Sequence, residues 1–224
     1  MKCKFLFLLL LLVPASMRAG EPYFCTRPGR TLYYERTRVS DGRLERTTTM
    51  HIESVRPEGD AHCVEYTFLL QGPGGKELYG GKSLMRVWYD GRGDLQTDLG
   101  ATLGAVLHNL FPGAQQKSEG IPASLPSGLK EGDRLPDASC SVSAGRLTYT
   151  IRVTERSVLR KERVTVPAGS FDAVVVREHK VERGPGRNRN TWSDSWYVEG
   201  VGYVRHDTYD KNLRLDTSEV LKKY

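Results

Sequence analysis

Apolar residues recur at every second position through much of this chain. From Arg146 to Val153 they are Leu147, Tyr149, Ile151 and Val153, against Thr148, Thr150 and Arg152. Residues 64–70 set Val64, Tyr66, Phe68 and Leu70 against Glu65 and Thr67. The run from Trp192 places Trp192, Trp196 and Val198 on one side, the side expected to face a core, with Ser193, Ser195 and Tyr197 on the other. A period of two predicts half-buried antiparallel strands, one face packed and one in water.

Turn residues separate these runs. Asp41-Gly42 falls between Leu32–Val39 and Leu44–Val55, and Asp90-Gly91 between Leu84–Tyr89 and Leu95–Leu99, two strong hairpin signals. Further breaks fall at Pro57–Asp60, Gly72–Gly75 and Gly184–Gly186. The spacing predicts roughly nine or ten strands joined as a meander, with no alternation of strand and helix. Gly100–Pro112 departs from the pattern: Ala101, Leu103, Val106, Leu107, Leu110 and Phe111 fall at helical spacing. A short helix is predicted at about residues 101–111, followed by a long irregular connection from Gln115 to Pro136. The fold class expected is therefore all-β, mainly antiparallel: a strongly curved sheet or half-open barrel, with one short helix and a long loop over it.

The first twenty residues carry an address rather than a fold. Lys2 and Lys4 precede an apolar run, Phe5–Val13, and small residues follow to Ala19-Gly20. Nine apolar residues are too few to span a bilayer as a helix, so residues 1–20 are expected to be a signal peptide and 21–224 a single exported β domain. The expected compartment is periplasmic or extracellular, without a transmembrane span. Cys25 is poorly placed for lipidation, because Glu21-Pro22-Tyr23-Phe24 precedes it in place of the Leu and small residues of a lipobox.

Composition adds mainly exclusions. The 224 residues are 38% hydrophobic and 27% charged with mean hydropathy −0.47, values of a globular rather than disordered chain. Loss of Lys2, Lys4 and Arg18 with the leader lowers the formal charge from +6 to +3, which weakens any nucleic-acid reading. Cys25, Cys63 and Cys140 remain, so at most one intrachain disulfide can form, and three pairings stay open. His51, His62, His108, His179 and His206 show no metal-ligand spacing. The sequence Gly81-Lys82-Ser83 lacks the earlier P-loop glycine, because position 76 is Lys76. Gly-x-Ser-x-Gly is absent. Arg92-Gly93-Asp94 lies at a predicted hairpin turn, where Gly and Asp belong in any case. The basic stretch Arg183–Asn190 reads as a solvated loop, and no aromatic stacking platform accompanies it. No catalytic residue, metal or cofactor is expected.

Two late segments resemble a known group. Val164-Thr-Val-Pro-Ala-Gly-Ser-Phe-Asp-Ala173 and Trp196-Tyr-Val-Glu-Gly-Val-Gly-Tyr-Val-Arg205 are similar to paired motifs of TapB-like and related domain-of-unknown-function proteins of the bacterial envelope, common in Bacteroidetes. Those proteins are distantly similar to the LolA/LolB lipoprotein carriers. Physically, both motifs are corners: Pro167 and Gly169 reverse the chain, and Gly200 and Gly202 mark a tight bend. The resemblance implies a fold more than a function; the function expected from the residues and the curved sheet is that of a non-catalytic envelope protein. Its expected ligand is apolar or amphipathic, a lipid for example, held in the concave face of the sheet by Tyr34, Tyr66, Phe68, Tyr149, Trp192 and Trp196. Two alternatives are a scaffold that works through contacts with an envelope partner protein, and a hydrolase with an unrecognised site.

Overall fold

A computed structural model describes residues 20–224, so the proposed leader, apart from Gly20, lies outside the described residues. Thirteen antiparallel strands form one sheet: β1 (Thr31–Arg38), β2 (Leu44–Glu58), β3 (Ala61–Gln71), β4 (Ser83–Asp90), β5 (Leu95–Thr97), β6 (Gln116–Ile121), β7 (Ala123–Leu125), β8 (Ala138–Ala144), β9 (Leu147–Val166), β10 (Gly169–Gly184), β11 (Arg187–Val198), β12 (Gly202–Tyr209) and β13 (Leu215–Lys223). A 3-10 turn occupies Pro73–Gly75, and α1, the single α-helix among the described residues, covers Ala101–Leu110, where helical spacing placed it.

The strand order is β6-β8-β9-β10-β11-β12-β13-β1-β2-β3-β4-β5-β7. The first and last strands pair through β13 and β1, which curls the sheet into a nearly closed barrel. The edges are β6 and β7, separated in sequence only by Pro122 and not paired with each other, so one seam stays unsealed. Helix α1 lies along that seam, packed on β4 to one side and on β8 and β6 to the other. Its Leu107 is buried in a small cluster with Cys140, Val142, Ile151 and Val153.

Two expectations need correction. There are thirteen strands rather than nine or ten, and Gln115–Pro136 is no irregular loop, because β6 and β7 fall within it. Neither was visible as a strand. β6 reads Gln-Lys-Ser-Glu-Gly-Ile and is exposed along its length but for Gln116, and β7 is three residues long. Edge strands need no apolar alternation, since one flank and often one face meet water.

The hairpins fall where Asp-Gly predicted them. Gly42 adopts φ 67°, and Asp41 accepts the Arg43 N–H with its carboxylate. Asp90 does the same for Arg92 and Asp94, so Arg92-Gly93-Asp94 is built into the β4–β5 turn. The two recognised motifs are the β9–β10 and β11–β12 corners. At the second, Gly200 and Gly202 take φ of 69° and 103°, and the Gly200 N–H donates to the Pro22 carbonyl. The segment from Gly20 to Cys25 thus crosses one end of the barrel, from Gly93 in the β4–β5 turn to Gly200. It buries Tyr23 and Cys25 in the main core beside Leu32, Ile52, Val64 and Leu221.

Candidate functional site: an interior with one apolar and one charged end

Side chains alternate across each strand, so the inward row of every strand can be followed. On β2 it runs Arg46, Thr48, Met50, Ile52, and on β1, in the opposite direction, Arg36, Tyr34, Leu32. β13 contributes Thr217, Glu219 and Leu221; β10 contributes Glu178, Val176 and Val174; β11 contributes Ser193, Ser195 and Tyr197. Each row passes from polar or charged to apolar or aromatic. Because neighbours are antiparallel and in register, the polar ends gather at one end of the barrel.

Within this interior lies a cavity of about 390 Å³. Met50, Tyr66, Phe68, Met85 and Leu125 form apolar walls, Tyr34, Tyr197 and Tyr203 form an aromatic side, and Arg46, Arg156 and Glu178 bring charge at the polar end, with Arg86 and Asp98 elsewhere on the wall. The size is in the range that suits a single small ligand. The tyrosines act here as apolar groups with a polar tip: Tyr34 stacks on Tyr203 with 4.6 Å between ring centres and donates its hydroxyl to the Tyr203 carbonyl. Burial pushes the Tyr66 and Tyr197 hydroxyls up to about 12, and those of Tyr34 and Tyr203 well above the ordinary value.

The charged end is loosely paired. Glu219 accepts from Thr48 at 2.9 Å and faces Arg46 at 3.4 Å. Burial raises its proton affinity, but Arg46, the Thr48 hydroxyl and Arg36 outweigh that and hold the carboxyl below its usual range. His206 is driven down to about 4, mostly by burial, and shares a 2.8 Å hydrogen bond with Ser195. It is neutral at pH 7. Arg156 is 4% exposed; its Nη1 donates to the Pro136 carbonyl at 2.9 Å, and its Nε stands 3.5 Å from Glu178.

A bulge places Arg156. Thr154 pairs with His179 and Ser157 with Arg177, so Glu155 and Arg156 together oppose the single residue Glu178. Glu155 takes a left-handed conformation, φ 53°, which is uncommon for a residue other than glycine. The extra residue changes the alternation: Val153 and Val158 are both buried, and Arg156 turns inward with Val158 while Glu155 stays exposed. Bulges of this kind re-aim side chains.

Of the residues expected to line a ligand site, Tyr34, Tyr66 and Phe68 are among the walls of this cavity. Tyr149, Trp192 and Trp196 are not among the cavity's walls. Tyr149 packs against the small cluster at the seam, its ring lying where a Cβ on Gly184 would be. On β11 the inward row is Ser193, Ser195 and Tyr197, so both tryptophans belong to the opposite face. Trp192 stacks on His179 at 4.7 Å. Trp196 lies under the Arg205 guanidinium at 4.5 Å and donates to Glu162. Long arginine side chains can bury an aromatic ring on an outer face, where sequence alternation would assign it to a core.

The charged residues of the cavity were missed for the same reason. Arg46, Arg156, Glu178 and Glu219 stand at positions that alternation reads as solvent-facing or leaves unassigned. One signal was available: Thr217, Glu219 and Leu221 share a phase in β13, and so do Arg46, Thr48 and Met50 in β2. Elsewhere, Cys25, Cys63 and Cys140 are each buried and unpaired, and burial raises the Cys140 thiol to about 11. Among the described residues no cluster of His, Cys, Asp and Glu is arranged to hold a metal, and no helix is long and apolar enough to cross a membrane. The basic loop is tied to its own hairpin, with Arg187 on Glu182 and Arg183 on Asn188.

Residues 29–221 match the profile of a family described as DUF3108-like. No curated protein matches the sequence. Two solved structures share the fold. One, described as an exported protein with a YmcC-like fold from Bacteroides fragilis, superposes with a TM-score of 0.72 at 18% identity, covering 92% of this chain and 99% of its own. The other, described as a lipoprotein from Parabacteroides distasonis, gives 0.74 at 19% identity with the same coverage.

Proposed function

The chain belongs to the DUF3108-like family, and from the barrel interior we propose that it is a non-catalytic envelope protein that binds an amphipathic ligand within the barrel. The observation that carries this reading is the cavity itself, about 390 Å³, with apolar and aromatic walls and with Arg46, Arg156 and Glu178 gathered at the polar end of the barrel. A barrel of purely structural use would fill that space, since voids among apolar side chains forgo dispersion contacts. The export of the protein is part of the same proposal; it rests on the leader-like first twenty residues and agrees with neighbours described as exported and as a lipoprotein. The motif resemblance to TapB-like proteins, themselves distantly similar to lipoprotein carriers, tips the reading towards carriage of an apolar or amphipathic ligand.

The hydrolase reading has one foothold, the Ser195–His206 hydrogen bond. Ser195 is 3% exposed and is not a wall of the cavity, so a substrate in the cavity does not meet its hydroxyl. The scaffold reading has a different basis: β6 is an open sheet edge whose Ile121 is 60% exposed, the kind of strand on which another chain adds.

Titration of the delipidated protein with an environment-sensitive fatty-acyl probe decides between carriage and scaffold. Saturable binding is expected in the micromolar range, and Met50→Trp, which fills the cavity from its apolar wall, is expected to abolish it while the far-ultraviolet dichroism stays that of a β protein. Absence of binding by the unmutated protein would leave the scaffold reading.

A further inference from the structure

Five buried polar atoms of the inward rows have no hydrogen-bond partner within the protein: Nε of Arg36, Arg46 and Arg156, Oγ of Ser193 and Oγ1 of Thr217. Buried polar groups in folded proteins are nearly always satisfied, by protein, by ordered water or by a ligand. An isolated orphan is unremarkable, but these are grouped at the charged end of the barrel, two of them, on Arg46 and Arg156, belong to cavity-lining residues, and three are guanidinium nitrogens.

The charges there are unequal. Arg36, Arg46 and Arg156 face three carboxylates, Glu45, Glu178 and Glu219, at separations of 3.4 Å or more where they meet. Lys180 and Arg189 continue the inward row, and the remaining carboxylate, Glu182, is taken up by Arg187 at 2.9 Å and by Lys180 at 3.7 Å. Positive charge therefore exceeds negative at this end of the barrel. The arginine nearest the cavity is held inward by a left-handed Glu155, a conformation that persists only where the surroundings impose it.

Resting on the reading that the interior takes an amphipathic ligand, we propose that this ligand is a single-chain amphiphile with an anionic head group, a carboxylate or a phosphate. Arg156 and Arg46 hold the head, and the chain lies against Met50, Tyr66, Phe68 and Met85. Arg156 stands in the cavity wall with an Nε that makes no hydrogen bond and only the loose 3.5 Å contact to Glu178, and Arg46, whose side chain is 31% exposed, lines the same cavity. A guanidinium meets either anion through paired, charge-assisted bonds. About 390 Å³ is near the lower limit of ligand pockets, which suits one chain rather than two.

The test compares dodecanoate, dodecyl phosphate and methyl dodecanoate by calorimetric titration of the delipidated full chain at neutral pH. The two anions are expected to bind at least about tenfold more tightly than the ester, and Arg156→Gln and Arg46→Gln to remove most of that preference while changing ester affinity by less than about twofold. Whichever anion binds more tightly identifies the head group. The comparison of ligands on the unmutated protein stands even if a variant fails to fold. Equal affinity for ester and anions would overturn the anionic-head proposal and leave carriage intact; no binding of any of the three would overturn both.

Discussion

The same four strands, β9 to β12, carry charged groups on both faces, and the two sets are built differently. On the outer face Arg177 grips Asp194 with two bonds of 2.7 Å, Arg205 grips Asp207 at 3.0 and 2.6 Å, and Arg160 grips Glu162 at 2.9 and 3.0 Å. Tyr209 and Ser218 add hydroxyl bonds to Asp194 and Asp207. On the inner face the Arg156–Glu178 contact is a single one of 3.5 Å, from an Nε that makes no hydrogen bond. Paired guanidinium–carboxylate bonds with every acceptor occupied hold a sheet together. Loose contacts with spare donors, in a cavity, leave capacity for something else to bind.

If the outer pairs are structural, breaking one should be the most damaging change. Asp194→Ala strands the Arg177 guanidinium against a buried site and is expected to lower unfolding free energy by about 2–4 kcal/mol in urea titrations, somewhat below the full range for breaking a buried pair because Arg177 is partly solvated. A loss under about 1 kcal/mol would erase the distinction between the faces.

His206 gives the inner face a pH signature. Its pKa is about 4 in the folded protein against an ordinary 6.5, so between these values the unfolded chain binds a proton that the native one refuses. Stability is expected to fall as pH drops from about 6.5 to 4, by on the order of 2–3 kcal/mol, and to be level above that window. Thermal melts of His206→Gln should show a flatter profile over the same range. Glu219, with its pKa held below 4.5, contributes its loss only in stronger acid.

Smaller effects refine the contrast. Glu155→Gly replaces a residue at φ 53° with one that tolerates it, and is expected to stabilise the protein by up to about 1 kcal/mol in the same melts without displacing Arg156. Glu178→Gln removes the loosely held inner carboxylate and is expected to cost less than about 1 kcal/mol, well below Asp194→Ala. A larger loss would mean that the inner contacts are as structural as the outer ones.

Much of the architecture was legible in short stretches of sequence. The Asp41-Gly42 and Asp90-Gly91 turns, the Pro167–Gly169 and Gly200–Gly202 corners, α1 and the long alternating strands are local features, fixed by backbone preferences a few residues apart. The candidate site was legible only in part. Tyr34, Tyr66 and Phe68 line the cavity because β1 and β3 alternate in the ordinary way, apolar inward. β11 does the reverse, with serines inward and tryptophans outward beneath arginines, and its pattern alone gives two faces without saying which is inside.

By itself, then, the sequence determined an antiparallel β chain with one short helix, its turns and its corners, because these depend on local conformational preference. Only the tertiary structure decided that β13 pairs with β1 to curl the barrel, that β6 and β7 remain open edges, and that a bulge at Glu155 turns Arg156 inward. Those outcomes depend on partners far apart in the chain, and on the rule that a buried charge is tolerated where other charges and donors are brought to meet it. The charged end of the cavity is the sum of single inward positions on strands scattered from residue 36 to residue 219, and only the closed register brings them together.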